Sequence, residues 1–369
     1  MADRFARGGR LIAMGQSPAA RSDVRHITVE FVHPVIVGKR ALPALGFTGD
    51  TGSLERQLDL LARADDMVIA FEGDASTHSH STRNATAMAR GRGCLTIAFA
   101  RVGAEWEFAS PVTDAFEWQE LGEVLYHLLW ELVHVFFEHG AACAEAARPA
   151  AGGAAAASFL YPFLESSQAD LSRVLADVQQ SIVFKADELT ALRAQTIGER
   201  ESPNRVALLG AATSLRAAFD AGGTLLAFGN GGSATDATDA AADYRFPPGE
   251  WPSRRALDLS DDSAIITALM NDIGADVIFS RQIIAYAQPR DVVMAFSTSG
   301  DSRNVIQALA EARARGLKSI AFVGYDGGRI RAERLADHTI VSESQNIPRI
   351  QEAQATAHHI LRSLVERAS

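Results

Sequence analysis

The chain has 369 residues, 47% of them hydrophobic, which is material for two domains of ordinary size, each burying its own core. A net charge of −10 argues against a nucleic-acid surface, so no nucleic-acid partner is expected. Only Cys94 and Cys143 are present, too few for a disulfide framework and not spaced as a metal pair. No apolar stretch has the form of a signal peptide or the length of a membrane span, so the expectation is a cytoplasmic protein without a membrane partner.

In chain order, Gly8-Gly-Arg-Leu-Ile-Ala-Met-Gly15 reads as a strand between glycines, with the first domain starting almost directly on it. His26-Ile-Thr-Val-Glu30 follows, with an imidazole and a carboxylate at i, i+4 on one helical face. Asp66-Met-Val-Ile-Ala-Phe71 reads as a further strand, and Ala89 to Phe99 as a helix end and the next strand. His78-Ser-His80 lacks partners at metal-ligand spacing and reads as a polar surface loop. Gln119 precedes His127 by eight residues, and His127 lies in the strongly apolar run Val124 to Phe137. Arg148 to Ala157 has no large side chain after its first residue and reads as a flexible linker, giving domains at 1–147 and 158–369 with the linker at 148–157.

Helical apolar spacing fills Ser158 to Ala221, with Pro203 separating two helices. Thr224-Leu-Leu-Ala-Phe228 then runs into Gly229-Asn-Gly-Gly-Ser-Ala234, where glycines let backbone N–H groups converge on an anion ahead of a helix N-terminus. A second such unit is Asp291-Val-Val-Met-Ala-Phe296 with Ser297-Thr-Ser-Gly-Asp-Ser302, followed by a helical run from Arg303. Two strand–loop–helix units place both loops at the carboxyl edge of one parallel sheet, where such folds bind ligands.

The halves echo one another in register. Gly8 to Gly15 mirrors Gly222 to Gly229, Arg40-Ala-Leu mirrors Arg255-Ala-Leu, Asp66 to Phe71 mirrors Asp291 to Phe296, and Ala89 to Phe99 mirrors Ala312 to Phe322. A tandem duplication accounts for all four.

The motifs Gly229-Asn-Gly-Gly-Ser-Ala, Asn271-Asp-Ile-Gly, Phe279-Ser-Arg-Gln, Ser297-Thr-Ser-Gly-Asp-Ser, Asp326-Gly-Gly and Arg349-Ile-Gln-Glu, in this order, resemble the SIS-domain phosphoheptose isomerases. The likeness runs from about Asp170 to the C-terminus, and the first half looks like a diverged copy. It implies two tandem SIS-type α/β sandwich domains with doubly wound parallel sheets, oligomeric assembly and aldose–ketose isomerisation of sedoheptulose 7-phosphate. By the same resemblance Asn230, Gly231, Ser233, Ser297, Thr298, Ser299 and Ser302 hold the phosphate and Asp261 contacts the sugar.

Isomerisation needs a base to take the proton beside the carbonyl and an acid to return one. The family uses a glutamate and a histidine, and several members bind zinc through His-x-x-x-Glu, a Gln and that same His. In the second half the first of these motifs reads Asp239-Ala-Ala-Ala-Asp243, while Gln351 and His359 match the rest, so Asp243 stands as base, His359 as acid, and zinc is in question there. The first half shows the converse: His26, Glu30, Gln119 and His127 reproduce the whole set, as metal ligands or as the acid/base pair Glu30 and His127. Its loops, however, read Gly15-Gln-Ser-Pro-Ala-Ala20 and Glu72-Gly-Asp-Ala-Ser, where Glu72 and Asp74 are set to repel a phosphate.

One expectation reconciles the halves: the two SIS domains pair as subunits do, with composite sites, and a homodimer forms a pseudo-tetramer. Two functions follow, an isomerase acting on a sugar phosphate with zinc as its cofactor, or a non-catalytic SIS protein that binds a sugar phosphate or a protein partner.

Overall fold

A computed structural model describes residues 1–34, 39–49, 53–72, 79–109, 111–144, 171–198 and 201–367, with only the backbone described at Ser79, 137–144 and 171–177. The expected linker at 148–157, Asp74 and His78 fall outside the described residues. The chain forms two compact units, Met1–Asp187 and Glu188–Ser369.

The first unit runs α1 (Ala2–Ala6), β1 (Leu11–Met14), α2 (Pro18–Val32), β2 (Ala44–Phe47), α3 (Leu54–Leu61), β3 (Met67–Ala70), α4 (Ser79–Gly91), β4 (Leu95–Ala98), β5 (Trp106–Glu107) and α5 (Ala115–Ala144). Helix α6 (Leu171–Ile197) spans the boundary, and the second unit continues with α7 (Pro203–Asp220), β6 (Leu225–Phe228), α8 (Gly232–Arg245), β7 (Ala256–Asp258), α9 (Ser263–Asp272) and α10 (Ile278–Tyr286). It ends with β8 (Val292–Ser297), α11 (Arg303–Ala314), β9 (Lys318–Gly324), α12 (Gly328–Ala332), β10 (His338–Ser342) and α13 (Ile347–Arg367). His80, read from sequence as part of a loop, lies instead in the first turn of α4.

Each unit holds a five-stranded parallel sheet, ordered β2-β1-β3-β4-β5 in the first and β7-β6-β8-β9-β10 in the second. The order is the same in both. The four-residue strands β1, β3 and β6 are wholly buried, which suits a parallel sheet covered on both faces and explains their unbroken apolar runs. One apolar layer lies on each face of each sheet, for example Leu225, Ala227, Met294 and Phe296 toward α7, α8 and α13, and Leu226, Phe228, Val293 and Ala295 toward α10 and α11.

Matching contacts, beyond matching order, establish the repeat. Asp66 Oδ1 accepts the Arg10 N–H and its Oδ2 the Arg63 N–H, while Asp291 accepts those of Thr224 and Gln288 in the same way. Phe71 stacks on Phe99 at 4.9 Å and Phe296 on Phe322 at 5.0 Å. A Cβ on Gly9 would meet the carbonyl oxygens of Asp65 and Arg4, and one on Gly223 those of Arg290 and Ala218. That last pair gives α1 the place that the end of α7 holds in the second unit, a counterpart the sequence did not suggest.

Burial works against ionisation of Asp66, but Arg10 and the two backbone N–H groups outweigh it and lower its pKa. A carboxylate whose folded pKa is depressed adds stability above its unfolded pKa and loses it as pH falls. Asp66→Ala is therefore expected to cost about 2–3 kcal/mol near neutral pH and less below roughly pH 4, as urea titrations at both pH values would show. An equal loss at both would dismiss the electrostatic account.

Candidate functional site

Within a sheet ordered 2-1-3-4-5 the connections reverse between the first and third strands, and the crevice beyond their carboxyl ends is the ligand position. In the second unit that crevice is bounded by the loops after β6 and β8, which pair in register from Leu225 with Val292. The first loop bends tightly onto its helix: a Cβ on Gly229 would lie 2.1 Å from the Ser233 carbonyl oxygen, and Gly231 has φ 57°. Gly231 caps α8 with no side-chain hydrogen bond, and Ser302 caps α11 likewise. First-turn N–H groups have no intrahelical acceptor, so both helices present donors to the crevice.

The hydroxyls are arranged around these donors. Ser233 and Ser297 are buried, Thr298, Ser299 and Ser302 half-buried, and Asn230 and Gly231 exposed at the rim. Ser297 Oγ donates to Ser302 Oγ at 3.3 Å and accepts the Gly300 N–H, while Ser299 Oγ accepts that of Asp301. Asn230 and Asn304 exchange two amide bonds across the loops at 2.9 and 2.8 Å. Gly300, with φ 67°, packs so closely on Gly327 that a Cβ would come within 2.2 Å of its carbonyl oxygen, and the Asp326-Gly-Gly motif follows from φ 93° at Gly327 and φ 50° at Gly328, where a Cβ would lie 2.4 Å from the Ser299 carbonyl oxygen. Asp261 is exposed just past β7, beside Ser260, whose hydroxyl accepts the Gly229 N–H.

The same helix α8 carries Asp239 and Asp243 to α13. Asp243 Oδ2 lies 3.6 Å from His359 Nε2 and 3.6 Å from His358 Nδ1, and Asp239 Oδ2 lies 3.8 Å from His359 Nε2. Gln351, also on α13, is buried. Burial first, and Asp239 second, raise Asp243 well above the ordinary aspartate value against the pull of His359 and Arg362. Burial and His359 lower His358 to about 3, so that imidazole is neutral.

The first unit assembles the counterpart from α2 and α5. His26 Nε2 and His127 Nε2 are 3.4 Å apart, and Glu30 Oε1 lies 3.8 and 3.3 Å from them. Burial opposes ionisation of Glu30, but His127, then His26 and His134, prevail and lower its pKa. Glu123, one turn before His127, brings a carboxylate within 4.8 Å of both imidazoles, whereas Gln119 is half-buried another turn away. The crevice at the corresponding sheet edge is occupied by a side chain: Glu72, buried at the end of β3, accepts the Gln16 N–H at 3.2 Å and the Thr82 hydroxyl at 3.1 Å. The expected repulsion of phosphate is thus accompanied by a carboxylate of the chain's own that takes a loop N–H.

Position by position the sites correspond. Trp130 Nε1 donates to the Glu30 carbonyl, and Arg362 Nε to the Asp243 carbonyl. Tyr126 meets Phe71 edge-on as His358 meets Phe296. The residue packed under the loop glycine is Ala20 for Gly15 and Ser233 for Gly229, so the first loop is one residue longer than the sequence register of Ala20 with Ala234 implied.

Comparison with known proteins gives the family. The SIS domain family model matches residues 188–324. A phosphoheptose isomerase of Pelobacter propionicus is 48% identical over 159 residues, covering 42% of this chain and 82% of that protein. The chain belongs to the phosphoheptose isomerase family of SIS-domain enzymes. Another member, from Citrifermentans bemidjiense, is 40% identical over 53% of this chain and 96% of its own. A putative tagatose-6-phosphate ketose/aldose isomerase from Clostridium novyi NT, at 10% identity and TM-score 0.58, covers 98% of this chain and 80% of its own, a likeness of fold alone.

Family membership makes the protein a sugar-phosphate isomerase by class, with the matching sequence in its second half. Sequence reading passed over Glu123, Tyr126 and His358. Glu123 was signalled by its i, i+4 spacing to His127; His358 had no signal except its place beside His359. No described helix is long and apolar enough to cross a membrane.

Proposed function

We propose that the second unit interconverts sedoheptulose 7-phosphate and a D-glycero-D-manno-heptose 7-phosphate by proton transfer through an enediolate. The observation that carries this reading is a single helix, α8, whose N-terminus, without a side-chain cap, faces the phosphate crevice and whose fourth turn bears the buried carboxylate of Asp243. Backbone N–H groups at Gly231 and Ser233, with Asn230, Ser297, Thr298, Ser299 and Ser302, bind the phosphate without a cationic side chain. Asp261 holds a sugar hydroxyl at the rim. Asp243 takes the proton from the carbon beside the carbonyl, and burial keeps it basic enough to do so. His359 steadies the developing oxyanion and passes a proton from one oxygen to the other, and the protonated Asp243 then delivers its proton to the neighbouring carbon, with Gln351 beside the path.

Zinc fits the first unit: both oxygens of buried Glu30 lack a hydrogen-bond partner among the described residues, and two imidazole nitrogens lie within 3.8 Å of Oε1. His26, Glu30 and His127 would hold it, with Glu123 beside them and Gln119 at a distance. Bound zinc supplies Lewis-acid stabilisation of negative oxygen. Assembly as a homodimer, four SIS units in all, accompanies the proposal and is read by light scattering.

The test is proton NMR of sedoheptulose 7-phosphate with the full chain in deuterated water, with and without zinc. Exchange beside the carbonyl and appearance of an aldoheptose phosphate are expected. The aspartates at positions 239 and 243 favour a second reading, a sugar-phosphate binding protein without turnover. Tight binding with neither exchange nor product would establish that reading instead.

A further inference from the structure

The two units differ at a pair of facing positions. Where the first has His26 on α2 against Tyr126 on α5, with Nδ1 and hydroxyl 3.0 Å apart, the second has Asp239 on α8 and His358 on α13. An imidazole is missing from one helix and present on the other. Each unit therefore still gathers two imidazoles and a carboxylate: His26, His127 and Glu30 in the first, His358, His359 and Asp243 in the second.

We infer that His358 replaces the imidazole absent at position 239 and that Asp243, His358 and His359 form a binding site for a divalent cation of the zinc class in the second unit. Two ligand atoms about 2.0–2.1 Å from a tetrahedral zinc ion are roughly 3.4 Å apart. Asp243 Oδ2 is 3.6 Å from His358 Nδ1 and 3.6 Å from His359 Nε2, and one ligand atom from each residue lies within 4.8 Å of the others. All three side chains are buried, at 6%, 2% and 3% exposure. Asp243 Oδ2 has no hydrogen-bond partner among the described residues although it is turned into the cluster, as a metal-ligand oxygen is and a structural carboxylate is not.

The surroundings fit the same role. Asp239 Oδ2, 3.8 Å from His359 Nε2, adds a second negative charge four residues from Asp243, a like-charge pair that a dication resolves. Arg362, the nearby cation, donates to the Asp243 backbone carbonyl and pairs with Glu366 rather than with the Asp243 carboxylate. A cation bound through one carboxylate oxygen leaves Asp243 its other oxygen.

The experiment titrates cobalt(II) into metal-stripped full-length protein carrying His26→Ala and His127→Ala, which disable the first unit's set. One cobalt per chain with a visible ligand-field absorption is expected, and the further change His358→Leu should weaken binding at least about 100-fold, the upper end of what loss of a ligand's support alone costs. Binding unchanged by His358→Leu, or a folded parent that takes up no cobalt, overturns the site. Should those variants fail to fold, zinc counted per chain in the wild type and in His358→Tyr, the first unit's residue at this position, decides: the count drops by one or the inference falls. No turnover is measured, so failure here is separate from failure of the isomerase reading.

Discussion

Asp243→Asn is expected to lower isomerisation by about 10²–10⁴-fold, the range associated with a positioned general base, while affinity for the sugar phosphate stays near that of the wild type. Asparagine keeps the shape of the side chain and its place on α8 but cannot take a proton. Phosphate binding depends on the first turn of that helix and on the loop after β8, more than two turns away from position 243. Glu30→Gln in the first unit should act differently: it disturbs a buried carboxylate held by His127 and His26, so stability falls while turnover suffers far less than in Asp243→Asn. Steady-state kinetics on both variants, with isothermal titration of the substrate, separates the roles. Equal loss of turnover from the two would show that the first unit's carboxylate takes part in the chemistry.

Much of this was legible in the residues because it rests on local rules. Gly229 to Ala234 and Ser297 to Ser302 announce themselves as loops by glycine and hydroxyl content between an apolar run and a helical one, and the structure finds them at the switch point of the sheet. The repeat was readable from four apolar segments in register. Side-chain pairs across helices were not, since nothing in one segment specifies which turn of α13 faces α8. His358 lies beside His359 in sequence, and only the packed structure, with Phe296 and Tyr244 against His358, shows that both imidazoles come within 3.6 Å of Asp243 Oδ2. The role of Glu72 escaped for a related reason. A carboxylate in a phosphate loop reads as repulsion until its oxygen is seen accepting the Gln16 N–H. The one-residue difference between the loops after β1 and β6 was equally hidden, because sequence alone does not say which residue packs under the glycine.

That packing supplies the second large effect. Gly229→Ala places a methyl 2.1 Å from the Ser233 carbonyl oxygen, and Gly15→Ala places one 2.5 Å from the Phe71 carbonyl oxygen and 2.6 Å from the Ala20 methyl. Both partners include backbone that cannot swing aside, so each substitution should destabilise its own unit by about 1–3 kcal/mol, as overpacking does. Only one of them should change ligand binding. Displacing the turn at Gly229 misaims the N–H groups at the start of α8, and each charge-assisted contact to phosphate is worth about 1.5–3 kcal/mol, so sugar-phosphate affinity should fall roughly 10- to 100-fold. Gly15→Ala distorts a loop whose N–H already serves Glu72 and should leave that affinity where it was. Chemical denaturation paired with titration calorimetry reads both quantities in the same samples. A loss of affinity from Gly15→Ala as large as that from Gly229→Ala would place phosphate in the first unit as well and undo the division of labour between the two sheets.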